Sequence, residues 1–183
     1  MTINGMFAKR VFKRVVLVSC LVASPLLNAA SLNVAVEVPK LTVAEYHAPY
    51  TAIWLESAAE RDKKFTKTLA VWYDTDMKNN GGHKWLKDLR QWWRRDGRDL
   101  QLPIDGVSGA TKLSGVHNLS FTLGQAPLTE LPKGDYVLLV EMSREVGGRE
   151  VVKVPFSWPV KQATTHSQTG GTEVGAITLV LNP

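Results

Sequence analysis

A run of small and hydroxyl-bearing residues is the part of this sequence best suited to chemistry. It reads Asp105-Gly106-Val107-Ser108-Gly109-Ala110-Thr111. Two glycines and an alanine add little side-chain bulk, so another molecule could approach the backbone closely and reach the Thr111 hydroxyl. A threonine hydroxyl is a poor nucleophile and needs a base supplied by its reaction partner. Asp-Gly and Ser-Gly are also ordinary turn dipeptides, and composition does not decide between a reactive loop and a turn.

The segments that must position this loop have mainly the pattern of β-strands. Apolar and polar residues alternate over 32–38, and further strands are predicted at 51–56, 65–73, 116–123, 135–145, 150–158 and 173–181. Gly147-Gly148 separates two of them and is typical of a hairpin in which glycine adopts a positive φ. We therefore expect a mainly β protein, an immunoglobulin-like antiparallel sandwich.

One segment, about residues 83–95, has helical periodicity instead. Its apolar residues recur at spacings that place them on one side of a helix, and they are Trp85, Leu86, Leu89, Trp92 and Trp93. Basic residues crowd its C-terminal end, where the helix dipole favours them. We expect one amphipathic helix packed on the sandwich.

The first thirty residues have the pattern of an export signal. Four basic residues and no acidic residue accompany an apolar run that ends near Ala29-Ala30. The run is shorter than the roughly 20 residues of a transmembrane helix, so residues 1–30 are predicted to be a signal peptide and residues 31–183 a single domain. The segment ending in Cys20 also fits a lipid-attachment pattern, which ranks second because the apolar run before it is short.

Cleavage after Ala29 or Ala30 removes the main argument for a nucleic-acid partner. The whole chain has a net charge of +5, but losing four of its 22 basic residues leaves 18 against 17 acidic residues. The single cysteine leaves with the signal, and the four histidines are scattered without metal-ligand spacing. We expect neither a nucleic acid nor a metal as a partner.

The loop closely resembles the acceptor sequence of bacterial FAD:protein FMN transferase, Asp-Gly-x-Ser/Thr-Gly-Ala-Thr. The FMN-carrying subunits of the sodium-translocating NADH:quinone reductase and of the Rnf complex contain that motif, and its last threonine receives FMN through a phosphoester bond. The resemblance implies that Thr111 is the attachment residue. The residues that would form the recognition loop are Asp105, Gly106, Ser108, Gly109 and Ala110. The usual motif has another hydroxyl residue two positions after the threonine, whereas here Ser114 comes three positions after it.

A wider resemblance covers most of residues 31–183. The stretches 43–50, 68–73 and 85–94, together with the loop, are similar to a family of predicted periplasmic proteins with domain of unknown function 2271. Its members are associated with PepSY-type membrane proteins and with the flavin transferase. The resemblance implies a periplasmic flavoprotein that exchanges electrons with a membrane partner, a redox carrier more than a stand-alone enzyme.

Aromatic and basic side chains are the candidates for the surroundings of such a flavin. The sequence has six tryptophans, and aromatic faces can stack on an isoalloxazine ring. Trp54 and Trp72 lie within predicted strands and are assigned to the core. The candidate flavin neighbours are Tyr46, Trp92, Trp93, Arg94 and Arg95. A cofactor-free periplasmic β-sandwich that binds a protein partner is the alternative function.

Overall fold

Within the described part of the chain, nine strands form two sheets. The computed structural model describes residues 29–58 and 65–183, so Cys20 and nearly all of the predicted signal peptide lie outside the described residues. The strands are β1 (Ser31–Val38), β2 (Tyr50–Ser57), β3 (Thr66–Tyr73), β4 (Ser108–Ala110), β5 (Gly115–Thr122), β6 (Gly134–Ser143), β7 (Arg149–Trp158), β8 (Thr164–Thr169) and β9 (Ala176–Asn182). One sheet has the order β5-β1-β9-β8 and the other β4-β3-β2-β6-β7. The prediction of a mainly β sandwich is confirmed.

The main core lies between the two sheets. Alternate residues of β1 are buried, as its period of two predicts, and Leu32, Val34 and Val36 enter this core. The facing sheet contributes residues such as Ile53 of β2 and Leu138 of β6. This core holds the two sheets together, because burial of apolar surface is the dominant favourable contribution to folding.

A second core covers the outer face of the five-stranded sheet. β2 is buried on both faces, since Ile53 points into the main core while Trp54 points into the second. Leu86, Leu89 and Trp92 close the second core from the outside. The protein therefore has three layers, and the third supplies one wall of the site described below.

The third layer differs from the single helix predicted at about 83–95. Residues Lys78–Asp88 form a 3₁₀ segment interrupted at Asn79 and Asn80, and a short α-helix, α1 (Arg90–Arg95), follows it. The break falls at Leu89, whose ψ of 69° is not helical. Helical structure is therefore present over the predicted residues, but it is divided at Leu89 into two short pieces.

Two strands were not predicted from the sequence. β4 has only three residues and pairs with β3 in parallel, whereas the other paired strands are antiparallel. β8 has a polar sequence because it is an edge strand whose residues are mostly exposed. The last strand begins at Ala176, later than predicted, because residues 171–174 bind a carboxylate instead.

β1 begins and β9 ends at the same end of the four-stranded sheet. Ser31 lies opposite both Thr122 and Asn182, and the Asn182 side-chain amide donates to Ser31 Oγ at 3.1 Å. At the opposite end of β1, Glu37 accepts a hydrogen bond from the backbone of Gly175. The 171–174 loop therefore lies at the Val38 end of the sandwich.

Candidate functional site

Thr111 directly follows the edge strand β4. β4 pairs with β3 so that Gly109 lies opposite Trp72 and Ala110 opposite Tyr73. The backbone N–H of Thr111 donates to the Tyr73 carbonyl at 3.2 Å and continues the pairing for one more bond. The residue is half-buried, so the sheet fixes its backbone while part of its side chain stays accessible.

The loop before β4 is an ordered turn. The Ile104 N–H donates to Ser108 Oγ at 3.0 Å, and the Ser108 N–H donates back to the Ile104 carbonyl at 2.8 Å. Gly106 has a φ of +72°, a conformation that favours glycine, and both Asp105 and Gly106 are exposed. Gly109 has no such requirement, because a Cβ added there would lie 3.5 Å from the Trp72 ring, an ordinary contact.

Thr111 lines a cleft of about 540 Å³, within the roughly 300–1,000 Å³ typical of ligand pockets. We call it the Thr111 cleft. Five separate stretches of chain form its walls, and the residues that line it are 47, 48, 50, 74, 77, 85, 88, 90, 111 and 143–149. The motif threonine thus lies at a concave surface that could enclose a bound group.

Aromatic, apolar and charged side chains share the walls of the Thr111 cleft. Trp85 is 39% exposed there, and Tyr50 is partly buried. Burial raises the pKa of the Tyr50 phenol, so it is neutral at physiological pH and can donate a hydrogen bond. Arg90 and Arg149 add guanidinium groups, which suit phosphate and other oxyanions. Asp74, Asp88 and Glu145 line the same cleft, so its walls carry charges of both signs. The exposed indole and Arg90 are the groups suited to a ligand that has a flat apolar ring and an anionic group.

Glu141 of β6 fixes the wall formed by α1. Its side chain is fully buried and accepts hydrogen bonds from the backbone N–H groups of Gln91 and Trp92, at 3.1 and 2.8 Å. Arg149 donates to the same carboxylate at 2.7 Å. A carboxylate from the sheet therefore caps the first turn of α1 and ties it to Arg149, another residue of the cleft.

The other end of α1 is held by Thr68 and Asp96. Asp96 Oδ2 accepts hydrogen bonds from both the backbone N–H and the hydroxyl of Thr68, and Trp92 Nε1 donates to Thr68 Oγ1 at 2.9 Å. Gly97 lies against the Trp92 ring so closely that an added Cβ would be 2.7 Å from it. These contacts hold the Trp92 indole in the second core.

The β6–β7 hairpin forms the opposite wall of the cleft. Arg144 donates from Nε and Nη2 to Glu173, both at 3.0 Å, and the pair is nearly fully buried. Cβ atoms at Gly147 and Gly148 would lie 2.5 Å from Arg144 and 2.6 Å from Glu173. The glycines are therefore required for close approach, and the positive φ predicted for them belongs instead to Val146, at +53°.

A neighbouring carboxylate orders the loop that carries Glu173. Glu150 of β7 accepts hydrogen bonds from four consecutive backbone N–H groups, residues 171–174, at 2.6 to 2.9 Å. Burial acts to raise the pKa of Glu150, but the four donors outweigh it and hold that pKa at about 2. The carboxylate stays ionised and keeps the loop against the hairpin.

Trp92 and Trp93, two of the predicted flavin neighbours, lie outside the Thr111 cleft. Trp92 is fully buried in the second core, and Trp93 packs against the same core. The sequence could not show this, because the break at Leu89 and the bonds to Thr68 fix which way the two indoles point. Trp92 is therefore held in the second core and the partly buried Trp93 packs against it, so neither indole lines the Thr111 cleft.

Arg94 and Arg95 lie at a different cavity, of about 120 Å³, together with Glu56 and Thr66. Arg95 Nε is 3.5 Å from Glu56 Oε1. Glu56 is six residues along β2 from Tyr50, which places this cavity roughly 20 Å from the Thr111 cleft. The two arginines are therefore not neighbours of Thr111, because α1 runs away from the cleft.

Tyr46 is the predicted neighbour that lies near the cleft. It is 37% exposed and adjoins His47, which lines the cleft. The hydrogen bonds that Arg144 donates to Glu173 raise the pKa of Arg144, and burial opposes them. Tyr46 adds a smaller electrostatic contribution that also raises this pKa. Tyr46 is thus close to the hairpin at the rim.

The sequence analysis did not identify Tyr50, Trp85, Arg90 or the hairpin as parts of the site. One signal was available for Trp85, since adjacent residues such as Trp85 and Leu86 cannot both face the centre of one narrow apolar stripe. The hairpin carries no recognisable motif. It lies across the sheet from β4, and the pairing registers bring the end of β6 and the end of β4 to the same end of the sheet.

The fold and cleft define a β-sandwich protein with a helical third layer and a concave site beside an edge strand. The family described as "Predicted periplasmic protein (DUF2271)" matches residues 31–176, and the chain belongs to this family. No curated protein matches the chain, and no solved structure matches it. In the described ranges, no helix has both the length and the apolar character needed to span a bilayer. Residues 29–58 and 65–183 contain no cluster of three or more His, Cys, Asp or Glu side chains suited to a metal ion.

Proposed function

We propose that this protein is a periplasmic electron carrier with FMN attached to Thr111 through a phosphoester bond. The observation that supports it is the position of the motif threonine in the Thr111 cleft, which an exposed indole and a guanidinium group also line. The proposal joins the motif resemblance to a place in the fold where a bound group could be held.

The attachment needs only an accessible hydroxyl from this chain. In the reaction catalysed by FAD:protein FMN transferase, Thr111 Oγ1 attacks the phosphorus of the FMN half of FAD. The new ester bond forms as the phosphoanhydride bond breaks, AMP leaves, and the hydroxyl proton passes to a base of the transferase. Half-burial of Thr111 and the exposed residues of its loop are compatible with that access.

The residues of the cleft fit the attached group in chemistry and in size. Arg90 would neutralise the remaining negative charge of the phosphodiester, and Tyr50 would donate a hydrogen bond. When bound, FMN would accept and release electrons one or two at a time. The cleft walls would hold the ring and limit its contact with water, which influences the reduction potential. A PepSY-type membrane protein is the proposed redox partner.

Intact mass after co-expression with the transferase tests the proposal. The exported protein should gain the mass of one FMN less one water and fluoresce in a denaturing gel. Thr111→Ala should lose that gain, whereas Ser114→Ala, which removes a nearby exposed hydroxyl, should keep it. Retention of FMN by Thr111→Ala would place the flavin on another residue.

A wild-type protein that never gains FMN would contradict the proposal altogether. That result would favour the cofactor-free β-sandwich that binds a protein partner. Digestion and fragment sequencing of the flavin-bearing peptide locate the modified residue directly, so the two functions are distinguished without reliance on the variant alone.

A further inference from the structure

We propose that Trp85 is the positioning residue on which the flavin ring stacks, an inference that rests on the proposed function. Trp85 is 39% exposed, and it is the one tryptophan that lines the cleft among the described residues. Trp54 and Trp92 are fully buried and Trp72 is nearly so. An exposed indole in the same cleft as the attachment residue has an apolar face that a planar ring could cover.

The 3₁₀ segment holds Trp85 on a fixed base. The neighbouring Leu86 is buried in the second core, and the segment begins at a turn in which Asp74 Oδ1 accepts from the N–H groups of Asp76 and Met77, at 3.1 and 3.0 Å. Gly82 packs against the Asp74 carbonyl with no space for a side chain. These contacts fix the backbone that carries Trp85 at the wall of the cleft.

Other apolar side chains of the cleft would be covered by the same ring. Met77 is 39% exposed and Val146 is 81% exposed, and both line the cleft with Trp85. The ammonium of Lys84 lies over one face of the Trp85 ring, 4.6 Å from its centroid, so the flavin ring would stack on the opposite face. Burial of these three exposed apolar side chains would favour binding of the flavin ring inside the cleft.

The experiment compares Trp85→Phe with Trp93→Phe, each carrying covalent FMN. An indole in contact with an excited flavin quenches its fluorescence by donating an electron, and phenylalanine does not. Trp85→Phe should lengthen the flavin fluorescence lifetime, whereas Trp93→Phe, outside the cleft, should leave the lifetime unchanged. Trp85→Leu removes the stacking face as well and should lower the ratio of stacked to free ring about fivefold.

Intact mass is measured on every sample, so failure of the inference is distinct from failure of the proposed function. An unchanged flavin lifetime in Trp85→Phe, with one FMN per chain, would overturn the stacking role and leave the attachment intact. Absence of FMN from the wild-type protein would overturn both. A longer lifetime confined to the Trp85 variants would support the inference.

Discussion

Alanine substitutions at the two glycines of the motif separate a recognition loop from a simple turn. Gly109→Ala places a Cβ 3.5 Å from Cδ1 of Trp72, an ordinary contact, and Gly109 has no positive φ. Gly106→Ala forces a side chain into a φ of +72°. The first change adds bulk beside Thr111 at little cost to the fold, whereas the second strains the backbone.

The expected effects on stability follow from these geometries. Gly109→Ala should change the free energy of unfolding by less than about 0.5 kcal/mol. At Gly106 the left-handed conformation costs an alanine roughly 1–2 kcal/mol, and the less flexible unfolded chain offsets part of that. A net loss of about 1 kcal/mol corresponds to a decrease in Tm of about 3 °C for a protein of this size.

The assay measures Tm and FMN incorporation for both variants after co-expression with the transferase. Gly109→Ala should keep its Tm and lose most of its FMN, because the added methyl group hinders approach of the enzyme to the hydroxyl. Full incorporation in a stable Gly109→Ala protein would refute the role of small residues in recognition. A decrease in Tm equal to that of Gly106→Ala would contradict the ordinary contact between the added methyl group and the Trp72 ring.

Two further predictions concern stability. Because the folded-state pKa of Glu150 is about 2, below its ordinary value of 4.5, its stabilising effect is fully present above pH 4.5 and is lost as the pH falls towards 2. Partial solvent exposure reduces that effect to about 2 kcal/mol. Urea titrations at pH 4.5 and at pH 2 should therefore show that the free energy of unfolding falls by about 2 kcal/mol more in the wild type than in Glu150→Gln. Val146→Gly relieves a φ of +53° at a residue that is 81% exposed, and it should raise the free energy of unfolding by about 0.5 kcal/mol in the same titrations. A destabilised Val146→Gly protein would contradict the backbone strain assigned to this turn.

Strand positions could be predicted where one face is buried. The alternation in β1 follows directly from its place between core and solvent, and the burial of Trp54 and Trp72 follows from their strands. β8 could not be found in this way, because both of its faces are largely polar. Periodicity thus reports burial, and it fails for strands that bury little.

The surroundings of Thr111 could not be predicted, because contacts distant in sequence determine them. Glu141 lies about fifty residues after the helix that it caps, and no local pattern links them. The Gly147-Gly148 pair did mark a hairpin, but the glycines are needed for the space taken by Arg144 and Glu173. Local sequence indicated that glycine was required there, and only the tertiary structure explains why.

The pairing of β1 with β9 determines which end of the sandwich is suited to attachment to a surface. Ser31 and Asn182 are joined by a hydrogen bond at one pole of the sandwich, while the loop that supports the cleft lies at the opposite end of β1, roughly 20 Å away. A surface linkage placed after Asn182 would therefore leave the cleft facing solution. Immobilised on an electrode in this orientation, the protein could be examined by voltammetry with its concave face open to soluble partners.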